Sequence, residues 1–103
     1  MSEYTADIEK YASNVDEDVV ETIRKYCGIA LQNRDSSLVS TSDKSELKTV
    51  RDGFAKKKLD LSPEEADAGI AKVAERMKGA SRKHRVTFYY LLAEETNTLD
   101  KLK

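Results

Sequence analysis

Apolar side chains recur at helical spacing along most of the chain and mark out five helices. Tyr4, Ile8, Tyr11 and Ala12 share one stripe, with Glu3, Asp7, Glu9 and Lys10 mostly off it, which predicts a first helix over residues 2–12. A second helix is predicted from the stretch 14–16 to Gly28, with Val19, Val20, Ile23 and Cys27 as its buried stripe. Asp16, Glu17 and Asp18 suit the positive end of its dipole, and Arg24 and Lys25 the negative end. Gly28 falls where a glycine closes a helix. The third opens at Asp43, with Glu46 three residues on at capping-box spacing. Leu47, Val50 and Phe54 form its stripe, and Lys56, Lys57 and Lys58 close it. Gly53 interrupts this helix at a cost of about 1 kcal/mol relative to alanine.

The fourth helix has the plainest start. Ser62 stands in the cap position, Pro63 at the first helical position and Glu65 at the third, after which Ala66, Ile70, Val73 and Met77 continue one stripe toward Gly79. Residues 82–96 behave differently. Residues 86–90 favour a strand by composition, residues 91–95 favour a helix, and no partner strand is legible elsewhere. On a helix, their apolar residues cover nearly the whole circumference, which marks either a buried central helix or a self-association face. Between the second and third helices the periodicity fails: Ile29, Ala30 and Leu31 are followed by a polar stretch over 32–37, then by Leu38 and Val39. The predicted fold is all-α, a compact single-domain bundle of about five helices over residues 1–103, with the last helix central.

Composition sets the scale of that bundle. Nine leucines, seven valines, four isoleucines and two phenylalanines in 103 residues supply a small core. Charged residues reach 36%, against the roughly 25% of ordinary soluble domains, and read as the solvated faces of thin amphipathic helices. The formal charge of −1 hides two unlike halves, net −4 over residues 1–50 and net +3 over 51–103. The near balance argues against a dedicated nucleic-acid binder. No apolar run approaches the about 20 residues of a membrane span. The first residues lack both the apolar core of a signal peptide and the arginine pattern of a transit peptide. Cys27 is the single cysteine, which excludes an intrachain disulfide and fits a reducing, cytoplasmic setting. One Cys and one His do not complete a zinc site, and the four isolated glycines form no phosphate cradle. No metal and no cofactor are expected.

Two segments carry candidate binding residues. The loop of Arg34, Asp35, Ser36 and Ser37 is dense in donors and acceptors and flanked by apolar residues, a pattern that suits ligand recognition. The competing reading is a tight turn in which Asp35 and the serines bond to nearby backbone. The second segment, residues 79–85, holds Arg82, Lys83 and Arg85 beside His84, with Arg76 and Lys78 just before it. Cations at the start of a helix oppose its dipole by about 0.3–1 kcal/mol each, and such a broken local rule points to an anion or an acidic partner. The competing reading is that these side chains reach Glu75, Glu94 or the acidic first half of the chain. Ser36 or Ser37 with His84 lacks the strained elbow and oxyanion hole of a hydrolase. Lys56, Lys57 and Lys58 satisfy a helix C-terminus, Cys27 belongs to a core stripe, and the five tyrosines supply packing.

Segments 28–40 (GIALQNRDSSLVS), 56–59 (KKKL) and 85–94 (RVTFYYLLAE) resemble a small bacterial family catalogued only as a domain of unknown function. The resemblance covers the whole chain and implies a bacterial, single-domain, cytosolic protein; it brings no catalytic residue, cofactor or partner with it. The leading functional reading is a non-catalytic binding or protein-interaction module. The partner is either another protein or a second copy of the chain, not a membrane and not nucleic acid. One alternative is a structural homo-oligomer packed through the last helix. Another is a small-anion binder or enzyme using the turn at 79–85.

Overall fold

Capping side chains set where the helices begin. In the computed structural model, which describes residues 3–28, 38–80 and 83–102, Asp16 Oδ1 accepts from the backbone N–H groups of Asp18 and Val19 at 2.9 and 3.4 Å. It thereby opens α2 (Glu17–Cys27). Gly28 closes α2 at φ +46°, its N–H on the Arg24 carbonyl. Ser62 and Glu65 form the reciprocal capping box that opens α5 (Pro63–Arg76), with bonds of 3.2 and 3.3 Å. Asp43 opens α3 (Lys44–Val50) with half of such a box. Its own N–H is bonded to the Ser40 carbonyl, and the Glu46 carboxylate is drawn away to Arg85.

The first helix, α1 (Glu3–Ile8), is shorter than its stripe suggests. Beyond Ile8 the bonds of Lys10 to Asp7 and Tyr11 to Ile8 tighten the chain into turns, and Asn14 takes φ +56°. From α3 the chain continues through a π-helical turn (Arg51–Ala55) into α4 (Lys56–Lys58). The widened turn has a packing reason. At about 100° per residue, Leu59 would fall half a turn away from Val50. One turn closed by i to i+5 bonding takes up the excess, and Val50, Phe54, Ala55 and Leu59 all reach the core. A 3₁₀ turn (Leu99–Leu102) that the periodicity does not reveal ends the described chain, with Leu102 buried.

The last helix is α6 (Arg85–Glu95), and every residue from 85 to 93 is buried. It starts three residues later than its basic residues suggest, because Lys83 and His84 are extended. Leu38 and His84 form an isolated antiparallel bridge, and the Val39 N–H donates to the Lys83 carbonyl at 2.8 Å. Helices α1, α2 and α5 pack around α6. The close approach of α5 depends on Gly69, where a Cβ would lie 2.7 Å from Thr96 Cγ2 and 2.8 Å from Leu92 Cδ1. The polar groups on α6 are matched from outside. Thr87 Oγ1 donates to Asp7 Oδ2 at 2.5 Å, and the Asp16 N–H donates to the Tyr90 hydroxyl at 3.0 Å. The fold is therefore an all-α bundle with the last helix central, as the pattern predicts. The apolar circumference of α6 is consumed inside one chain, so the homo-oligomer expected to pack through this helix finds no face there.

Candidate functional site

Arg85 is the first residue of α6, and the structure turns it inward. It is only 8% exposed. Its Nη1 donates to the Tyr89 hydroxyl one helical turn on at 2.9 Å, and Nη2 donates to the Leu38 carbonyl at 3.2 Å. Nη2 also forms an ion pair with Glu46 Oε1. The carboxylate brought over from α3 is what tolerates a cation at the positive end of a helix. Burial opposes the charge on Arg85. Tyr89 and then Glu46 more than offset it, and hold the guanidinium pKa above its ordinary value. Burial also pushes the Tyr89 hydroxyl up, with Arg85 pulling the other way. Arg85 thus ties three stretches of chain together: residue 38, α3 and α6.

The other predicted residues divide by position. Lys83 is half-buried with Nζ on the Ala80 carbonyl at 3.1 Å, and its backbone carbonyl serves the pairing with Val39. Arg34, Asp35, Ser36, Ser37 and Arg82 lie outside the described residues. The backbone just after each of these two segments is nevertheless shared, since Leu38 and Val39 run antiparallel to Lys83 and His84. His84 itself meets Tyr4 edge-on at 6.1 Å. The intramolecular reading directed the cations of this turn to Glu75, Glu94 or the acidic first half of the chain. It singled out neither Glu46 nor the Leu38 carbonyl for Arg85, because both are remote in the chain. The Arg85–Tyr89 contact was available in principle from its i, i+4 spacing.

The remaining basic residues near the turn are paired much as the intramolecular reading expects. Arg76 reaches Glu94 at 3.1 Å, Glu95 at 3.2 Å and the Tyr11 carbonyl at 2.6 Å, and Lys78 reaches Glu75 at 2.8 Å. Cys27 sits in the core, and burial raises its thiol pKa to about 11, with Arg85 pulling weakly the other way. A thiol held protonated and buried is a poor nucleophile. Ellman's reagent at pH 8 is therefore expected to react with native Cys27 at least about tenfold more slowly than with the urea-unfolded chain. Equal rates would contradict this placement.

An open groove of about 470 Å³ lies between α1 and α2, lined by Thr5, Glu9, Ala12, Ser13, Asn14, Val15 and Glu17. None of the predicted site residues lines it, and Thr5 Oγ1 already donates to Glu17 Oε2 at 3.0 Å. Among the described residues no group of three or more His, Cys, Asp or Glu is placed to hold a metal ion. No described helix is long and apolar enough to cross a membrane. Residues 3–100 match the model of a family described as protein of unknown function (DUF2853). No curated protein matches the chain.

Proposed function

We propose that this chain, which belongs to the DUF2853 family of proteins of unknown function, is a non-catalytic module that binds a protein partner. Its recognition surface combines the loop of Arg34, Asp35, Ser36 and Ser37 with the basic turn of Arg82 and Lys83. The observation that supports this reading most is the pairing of Leu38 and Val39 with His84 and Lys83. Each of the two segments, far apart in sequence, is joined directly to one side of this short antiparallel pairing, so one partner that spans the pairing can meet both. Arg85 lies behind the pairing as a positioning residue: it fixes the Leu38 carbonyl and anchors it to Glu46. The small-anion alternative loses its buried guanidinium for the same reason, since Glu46 already neutralises it. The proposed setting is the bacterial cytosol, which the family resemblance and the single cysteine support.

The test is a double charge reversal, Arg82→Glu with Lys83→Glu, in the full chain. Proteins captured from the native host are identified by mass spectrometry, and the purified partner is then titrated against both forms. The variant should keep its melting temperature within about 4 °C, the shift that ~1 kcal/mol produces in a domain of this size. It should bind the partner at least about tenfold more weakly, a change of about 1.4 kcal/mol. Recovery of the same partner with unchanged affinity would remove the basic turn from the proposed surface.

A further inference from the structure

Tyr26, in the last turn of α2, is the one large apolar side chain exposed among the described residues, at 39%. It is held in place by aromatic packing. Phe54 and Tyr89 stack at 4.1 Å, and Tyr26 meets them edge-on at 5.4 and 6.4 Å. Its hydroxyl has no hydrogen-bond partner among the described residues. The π-helical turn lies beside it: a Cβ at Gly53 would stand 3.8 Å from the Tyr26 hydroxyl, an ordinary contact. Packing therefore does not require glycine there. Departures from helix propensity that packing does not require are found at functional surfaces.

A cation lies against this ring, while Lys25 and Lys56 also feel the carboxylates of Glu21 and Asp52. Lys58 Nζ lies 5.3 Å from the Tyr26 ring centre, Lys25 precedes Tyr26 on α2, and Lys56 and Lys57 share the turn with Lys58. All four lysines are exposed, and none forms an ion pair among the described residues. Most other basic side chains of the described chain do, Arg24, Arg51, Arg76 and Lys78 among them. Helix C-termini explain why cations are tolerated there, but not why a rigid tyrosine stands among them with a free hydroxyl.

We propose that Tyr26 with Lys25, Lys57 and Lys58 forms a docking surface for an acidic peptide segment of a partner protein. Carboxylates of the segment pair with the ammonium groups, and one accepts a hydrogen bond from the Tyr26 hydroxyl. Nucleic acid fits less well. Lys58 lies over the ring that a base would stack on. This proposal uses none of the residues of the surface built on Arg82 and Lys83 and stands or falls without it.

The test uses the full chain and fluorescence anisotropy with labelled oligoglutamate, oligoglutamine and oligothymidylate at low salt. Oligoglutamate should bind in preference to both comparators. Lys57→Gln with Lys58→Gln should weaken it about tenfold, and Tyr26→Phe about threefold, the effect of one hydrogen bond. Circular dichroism should be unchanged in both variants, and Arg82→Glu with Lys83→Glu should leave the affinity as it was. Equal or tighter binding of oligothymidylate would overturn the proposal in favour of a polyphosphate surface. An unaltered affinity in Tyr26→Phe would reduce the patch to a nonspecific cation cluster. Absence of oligoglutamate binding would remove it altogether.

Discussion

Arg85→Ala is expected to destabilise the fold by about 3 kcal/mol, measured by urea unfolding at neutral pH. The guanidinium is buried, so its removal leaves the Tyr89 hydroxyl and the Leu38 carbonyl short of a partner and Glu46 without its counter-charge. Each of these groups contributes to the cost, because a buried acceptor left unmade loses its full desolvation energy. Glu46→Gln should cost less, about 1 kcal/mol, because the amide oxygen still accepts from Arg85. In the double variant the two losses should fall short of their sum, since both remove one interaction. A loss below about 1 kcal/mol for Arg85→Ala would mean that the guanidinium does not anchor residue 38 to the bundle. The same variant bears on function. If Arg85 positions the loop and the turn for a partner, binding should weaken even at temperatures where the variant is fully folded.

The second large effect lies where α5 crosses α6. Leu92→Ala, at a fully buried position, should destabilise by about 3 kcal/mol through lost burial and a residual cavity. Gly69→Ala alone should cost about 1–2 kcal/mol: overpacking against Leu92 and Thr96 outweighs the roughly 1 kcal/mol gain in helix propensity. In the Leu92→Ala background one of the two colliding groups is gone, and the added methyl fills part of the cavity. The same substitution at Gly69 should then be neutral or stabilising. Thermal and urea unfolding of the four proteins in this cycle measure the coupling. Additive losses would show that Gly69 is not the point of closest approach between the two helices.

Much of the bundle was legible because its signals are local. Asp16, Asp43 and Ser62 mark helix starts through bonds to residues two or three positions away. The stripe of Ala66, Ile70, Val73 and Met77 is buried along its whole length. The all-round apolar character of residues 86–93 already restricted that segment to a buried or an associating helix. The candidate site was legible only as a list of residue types. Arg82, Lys83 and Arg85 look equivalent in sequence, yet Arg85 faces the core with Glu46 while Lys83 lends its backbone to a bridge. The i, i+4 spacing offers Arg85 a tyrosine. No local rule offers it a carboxylate 39 residues away.

The pattern of apolar and polar positions by itself determined the helical class, the main helix starts and the identity of the core stripes. Those depend on backbone geometry and on side chains within a turn of one another. Tertiary structure decided which cations are solvent-facing, which half of the Asp43–Glu46 box forms, and that α6 is enclosed by its own chain. It also decided that residues 51–55 widen into a π turn. In each case the deciding partner lies in another element. Its effect is a matter of burial and charge neutralisation in the packed interior, which no spacing along the chain encodes.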